Sequence, residues 1–151
     1  MREILFRGKR LDNGEWVYGW PFADTADCSL KKAGKCQCPH DGSEYFIVEW
    51  DDDFHEYEER QVIPNTVGQY TGLKDKNGKM IFEGDIIESH YDSLYPDNVT
   101  IEVVKWYQNG WCIQEGNFLP DSLYGESDLT VSKVIGNIYD NPYLLKEEAQ
   151  T

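Results

Sequence analysis

Apolar and polar residues alternate along much of this chain with the period of two that marks a half-buried strand. Short runs rich in aromatic and β-branched residues follow one another, broken about every ten positions by Gly, Asn, Asp or Pro. The pattern predicts strands at 3–7, 15–20, 45–50, 57–63, 66–71, 79–83, 85–90, 99–107, 111–115 and 133–139. Segments 91–98 and 116–130 read as loops by composition. After the last strand, Asn141 can cap a short helix that opens on Pro142, carries Lys146 in its last turn and docks through Tyr143, Leu144 and Leu145.

One stretch, QYTGLKDKNGKMIFEGDII (69–87), is dense enough in glycine and lysine to raise a phosphate-binding loop as an alternative to a hairpin. A P-loop needs four residues between its glycines and a hydroxyl after the lysine. Here five residues separate Gly72 from Gly78, and Met80 follows Lys79. The loop reading fails on both counts. Asp75-Lys76-Asn77-Gly78 is instead a turn, because Asn and Gly tolerate the positive φ angles that reverse a hairpin.

The same chemistry recurs at Asp12-Asn13-Gly14 and Asn109-Gly110. The first and second of these units align at a constant offset, which we read as convergent hairpin design rather than duplication. In the third, VVKWYQNGWCIQ, a two-residue Asn109-Gly110 loop would set Trp106 opposite Ile113 and Tyr107 opposite Cys112. Val104, Trp106, Trp111 and Ile113 then share one face, expected to be core, with an aromatic ligand platform as the competing reading.

Composition narrows the function. In 151 residues, 28 Asp and Glu stand against 14 Lys and Arg, a formal charge of −14 that repels phosphate backbones and anionic membranes alike. Direct nucleic-acid and membrane partners are therefore not expected, and a basic protein is electrostatically favoured. No run reaches the roughly 18–20 apolar residues that span a bilayer, and MREILFRGKRLD lacks the apolar core of a secretory signal. The expectation is a soluble, cytoplasmic protein.

Three stretches carry a resemblance. MREILFRGKRLDNGEWVYG, TVGQYTGLKDKNGKMIFEGDII and VIGNIYDNPYLL resemble the characteristic segments of the YopX family of phage and prophage proteins. The resemblance implies an all-β body whose C-terminal part is an SH3-like barrel or roll, a phage or prophage origin within a bacterial host cell, and no established activity or catalytic residues. It places an N-terminal β region at 1–65 and the SH3-like region at 66–151, the two either separate or sharing one compact body. The segment ADTADCSLKKAGKCQCPHDGSE (23–44) departs from the simpler family pattern.

That segment holds Cys28, Cys36, Cys38 and His40, three thiols and an imidazole within thirteen residues. Four such ligands suit a closed, structural zinc site, although the spacing is not the usual pair of Cys-x2-Cys knuckles. The competing reading is a loop of reduced, solvent-exposed thiols, and the residues alone leave both open. EWDDDFHEYEER (49–60) is neither a calcium loop nor a metalloprotease helix, because it lacks the glycine of the first and the second histidine of the second. It reads as a charged turn with a solvated strand face, or else an acidic patch that docks a basic partner. No Gly-x-Ser-x-Gly elbow is present, and His40, His55 and His90 lie in unrelated segments. The chain is thus expected to be no enzyme but a protein-interaction module that binds a protein partner or itself. The alternatives are an acidic decoy that mimics nucleic acid to block a basic host protein and, further off, a metal-dependent enzyme.

Overall fold

The computed structural model describes residues 3–24, 44–91, 94–123 and 131–145, so Cys28, Cys36, Cys38 and His40 lie outside the described residues. The chain is all β and divides into two compact units, Leu5–Gly68 and Gln69–Thr151 together with Met1–Ile4.

In the first unit, β1 (Phe6–Lys9), β2 (Trp16–Asp24), β3 (Glu44–Asp51) and β4 (Glu56–Val62) lie in the order β4-β3-β2-β1, every pair antiparallel. β2 changes partner halfway: Trp16–Gly19 pair with β1 and Trp20–Asp24 with β3. Pro21 therefore sits where its missing N–H costs no bond on the β1 side. The end of β4 returns to the end of β1, where Arg10 bridges Val62 and Leu11 N–H donates to the Gln61 carbonyl at 3.0 Å. Thr66, in the 3-10 turn Pro64–Thr66, locks this return. Its hydroxyl accepts from Lys9 N–H at 2.9 Å and donates to the Ile63 carbonyl at 2.6 Å. Ile47 and Val62 are fully buried behind it.

In the second unit, β5 (Gly68–Lys74) pairs with β6 (Met80–Phe82), and Tyr70 opposes Phe82 with ring centroids 5.5 Å apart. A five-stranded sheet follows in the order β10-β9-β8-β7-β11, built from β7 (Asp85–Ser89), β8 (Thr100–Tyr107), β9 (Gly110–Gln114), β10 (Asp121–Ser122) and β11 (Ser132–Asn137). Ile81, Ile87 and Val104 form its core, with Leu73, Trp111, Ile113, Leu123 and Val134 packed around them.

The stretch first read against a phosphate loop is a turn, with Gly78 at a φ of 79°. Its organiser is Asp75, whose buried carboxylate accepts three backbone N–H groups. Oδ1 takes those of Asn77 and Lys79, and Oδ2 takes that of Val134 on β11, each at 2.9 Å. Lys76 N–H adds a bond to the Ser132 carbonyl at 3.0 Å. The turn therefore covers the outer edge of β11, an edge that would otherwise offer unpaired backbone groups. The same device blocks β11 from further pairing, and the sheet does not close into a barrel, where an SH3-like barrel or roll was expected.

The closing stretch GNIYDNP is a second side-chain knot. Asn137 Oδ1 accepts from the N–H groups of Tyr139 and Asp140, while Asn141 Oδ1 accepts from Asn137 N–H at 3.2 Å. A Cβ on Gly136 would lie 2.5 Å from that same Asn141 oxygen, so the approach requires glycine. Because Asn141 turns back to Asn137, it does not cap a helix. The described residues hold only a 3-10 turn, Pro142–Leu145, where a short helix was expected.

The third hairpin also differs. Its loop is Gln108-Asn109, with Tyr107 opposite Gly110, Trp106 opposite Trp111 and Val104 opposite Ile113. Gln108 supplies a φ of 54°, a conformation that glutamine seldom adopts. The partners change but the shared face does not, since the register moves by whole pleats. Val104 and Ile113 are core, the two indoles meet edge to face at 4.9 Å, and Trp106 remains 51% exposed. β10, within a segment expected to be loop, is a two-residue strand against Ile113 and Cys112.

If Asp75 holds the turn, Asp75→Ala strips three buried donors of their acceptor and should lower the free energy of unfolding by on the order of 3 kcal/mol. Asp75→Asn, which keeps one carbonyl oxygen, should cost clearly less. Urea denaturation of both variants checks this, and equal, small losses would contradict it.

Candidate functional site

Along β3, Phe46, Val48 and Trp50 point to one side and Ile47 to the other. The register extends that first side across the sheet, with Phe22 opposite Phe46, Trp20 opposite Val48 and Tyr57 opposite Trp50. A reader of the pattern would bury this face, because it is the more aromatic of the two. The fold buries Ile47 instead and leaves Trp20 59%, Phe22 48%, Trp50 46% and Tyr57 70% exposed. Four large aromatic side chains in water on one face of one sheet carry a hydrophobic cost of about 25 cal/mol for each Å² left uncovered.

The exposed rings are ordered. Phe22 and Phe46 lie 6.2 Å apart between centroids, and Trp50 and Tyr57 meet edge to face at 4.8 Å. Trp50 Nε1 donates to Asp52 Oδ1 at 2.7 Å, which fixes the indole and spends its only donor. Asp51 Oδ1 accepts from the N–H groups of Asp53 and Phe54 at 2.8 and 3.1 Å, so the tip of the β3–β4 hairpin is held by its own carboxylate. The charged turn expected at 49–60 is therefore present. Glu59 stands opposite Val48 on the aromatic face, two residues from Tyr57. On the reverse face, Glu49 opposes Glu58 and Asp51 opposes Glu56, like charges set directly across from one another.

The second unit offers two other places. An open groove of about 1100 Å³ has an aliphatic floor that includes Ile101, Val103, Ile135 and Leu144. Of its charged side chains, Lys105 Nζ donates to Gln114 Oε1 and Glu88 Oε1 is 3.1 Å from both His90 Nε2 and Lys133 Nζ, while Glu115 also lines it. Burial raises the Glu88 carboxyl, but the hydrogen bonds and charges of Lys133 and His90 outweigh it and hold the group below its ordinary value. On the opposite face of that sheet, Ser89, Ser132, Tyr91 and Glu102 form a polar cluster. Glu102 Oε2 accepts from Tyr91 Oη at 2.9 Å and from Ser89 Oγ at 3.3 Å, and the two serine hydroxyls are 2.8 Å apart. Ser89 and Ser132 are both buried, so neither faces a substrate.

Burial pushes the Glu102 carboxyl above its ordinary value, with smaller upward contributions from Glu115 and Asp121, against the lowering hydrogen bonds from Tyr91 and Ser89. A carboxyl raised on folding adds stability that is complete below its unfolded value and is lost as pH rises through the folded one. Glu102→Gln removes that titration. The variant should gain stability relative to the parent as pH climbs from about 4 to 7, read as the difference in thermal midpoint across the range. A difference that does not change with pH would contradict the assignment.

Among the described residues, no three His, Cys, Asp or Glu side chains converge to hold a metal ion, and no helix is long and apolar enough to cross a membrane. Sequence reading missed Trp20, Phe22, Trp50 and Tyr57 as a surface. The available signal was the pairing of an apolar strand face with carboxylates at its ends, at Glu49–Asp53. The fold is similar to that of a crystal structure of protein EF1440 from Enterococcus faecalis, at a TM-score of 0.54 and 22% identity, over 96% of this chain and 99% of that one. No curated protein matches the chain. The family model described as YopX protein matches residues 5–146, nearly the whole length, and this chain belongs to the YopX family.

Proposed function

We propose that this protein is a non-catalytic interaction module that docks a protein partner on the aromatic face of β2, β3 and β4. The observation that carries the reading is the inverted burial of β3, with Ile47 inside and Trp50 in water. Covering Trp20, Phe22, Trp50 and Tyr57 would recover the hydrophobic free energy that the isolated chain forgoes, and aromatic anchors of this kind dominate protein interfaces. The ordering of the rings by Asp52 and by one another lowers the entropy lost on docking.

An acidic decoy is the second reading, and the opposed pairs Glu49–Glu58 and Asp51–Glu56 favour it. Two rungs of carboxylates make a short ladder, whereas mimicry of a duplex needs a long one. The aromatic face therefore takes precedence. A zinc-bound loop at Cys28, Cys36, Cys38 and His40 fits either reading as a structural staple and adds no chemistry to them.

The test is affinity capture from bacterial extract with the wild type and a Trp20→Ser, Tyr57→Ser variant. Both side chains are exposed, so the thermal midpoint should shift little. A protein retained by the wild type should be lost from the variant and should rebind when purified. Equal retention by a folded variant would overturn the proposal.

A further inference from the structure

We infer that the corner formed by Trp50, Tyr57 and Glu59 receives a cationic side chain, arginine or lysine, presented by the docked protein; this rests on the aromatic face being the docking surface. Three observations point the same way. The Trp50 indole N–H is already spent on Asp52, so the ring offers the partner its π face and not a donor. Tyr57, 70% exposed, stands edge to face beside it and forms the second wall of a corner. Glu59 is exposed on the same face one pleat along β4, and no ion pair among the described residues engages it. A cation over an indole with a carboxylate at its side is stabilised by both, and most of all when water is excluded.

The chain shows the same recognition internally. On β1, the Arg7 guanidinium lies 4.5 Å from the Trp16 ring centroid, with Lys9 at 6.0 Å. The wider field agrees. The net charge of −14 draws a basic surface and repels a second copy of this chain or a phosphate backbone. The occupant is therefore a basic protein segment that sets Arg or Lys among apolar side chains.

The experiment titrates the intact protein with a ten-residue peptide alternating Arg with Leu and Ser, and with the same peptide carrying citrulline, the neutral isostere, at each Arg. Nitrogen-15 NMR follows the indole resonances. The Arg peptide should shift the Trp50 indole more than that of Trp106, and its affinity should fall about tenfold between low and moderate salt. Glu59→Gln should weaken Arg-peptide binding several-fold without altering the citrulline peptide. Equal shifts with both peptides would overturn the cationic corner while leaving the aromatic face as the docking surface. Shifts spread over unrelated acidic segments, or absent from Trp50, would overturn the inference. The docking surface itself stands or falls on the capture experiment.

Discussion

The alternation of side chains along β3 is the constraint on which this account depends. Successive residues of a strand face opposite ways, so seating Ile47 in the core sends Phe46, Val48 and Trp50 outward together. The antiparallel register then adds Trp20 and Phe22 from β2 and Tyr57 from β4 to the same side. No single rotamer change can hide these rings, because a slip of one residue would expose Ile47 and reverse every position. The exposed aromatic face is thus fixed by backbone pairing.

The stretches that identify the family serve the scaffold. Asp75 gathers three backbone donors and ties its turn to β11, and Asn137 with Asn141 knots the chain after that strand. Buried polar side chains fully supplied with backbone partners specify one arrangement of loops, because leaving any donor unpaired costs more than the bond contributes. This explains why segments so dense in glycine and charge carry no phosphate cradle.

All ten expected strands are present in some form, because period-two patterning and Asn-Gly turns are local properties. What was not legible depended on side chains acting at a distance or on backbone exceptions. The loop at Gln108-Asn109 needed a glutamine at positive φ, and Asp121–Ser122 became a strand only because β9 lies beside it. Among the described residues the expected C-terminal helix is only the 3-10 turn Pro142–Leu145, where Asn141 turns back to Asn137. The aromatic face was hidden for a further reason: Trp50 and Trp111 obey the same alternation, and only the three-dimensional assembly decides which meets water.

Solvent exposure of the individual tryptophans tests that claim most directly. A soluble paramagnetic agent added to the free protein should broaden the Trp20 and Trp50 indole resonances strongly and that of Trp111 weakly. Protection of Trp20 and Trp50 equal to that of Trp111 would contradict the outward-facing register and the docking surface with it.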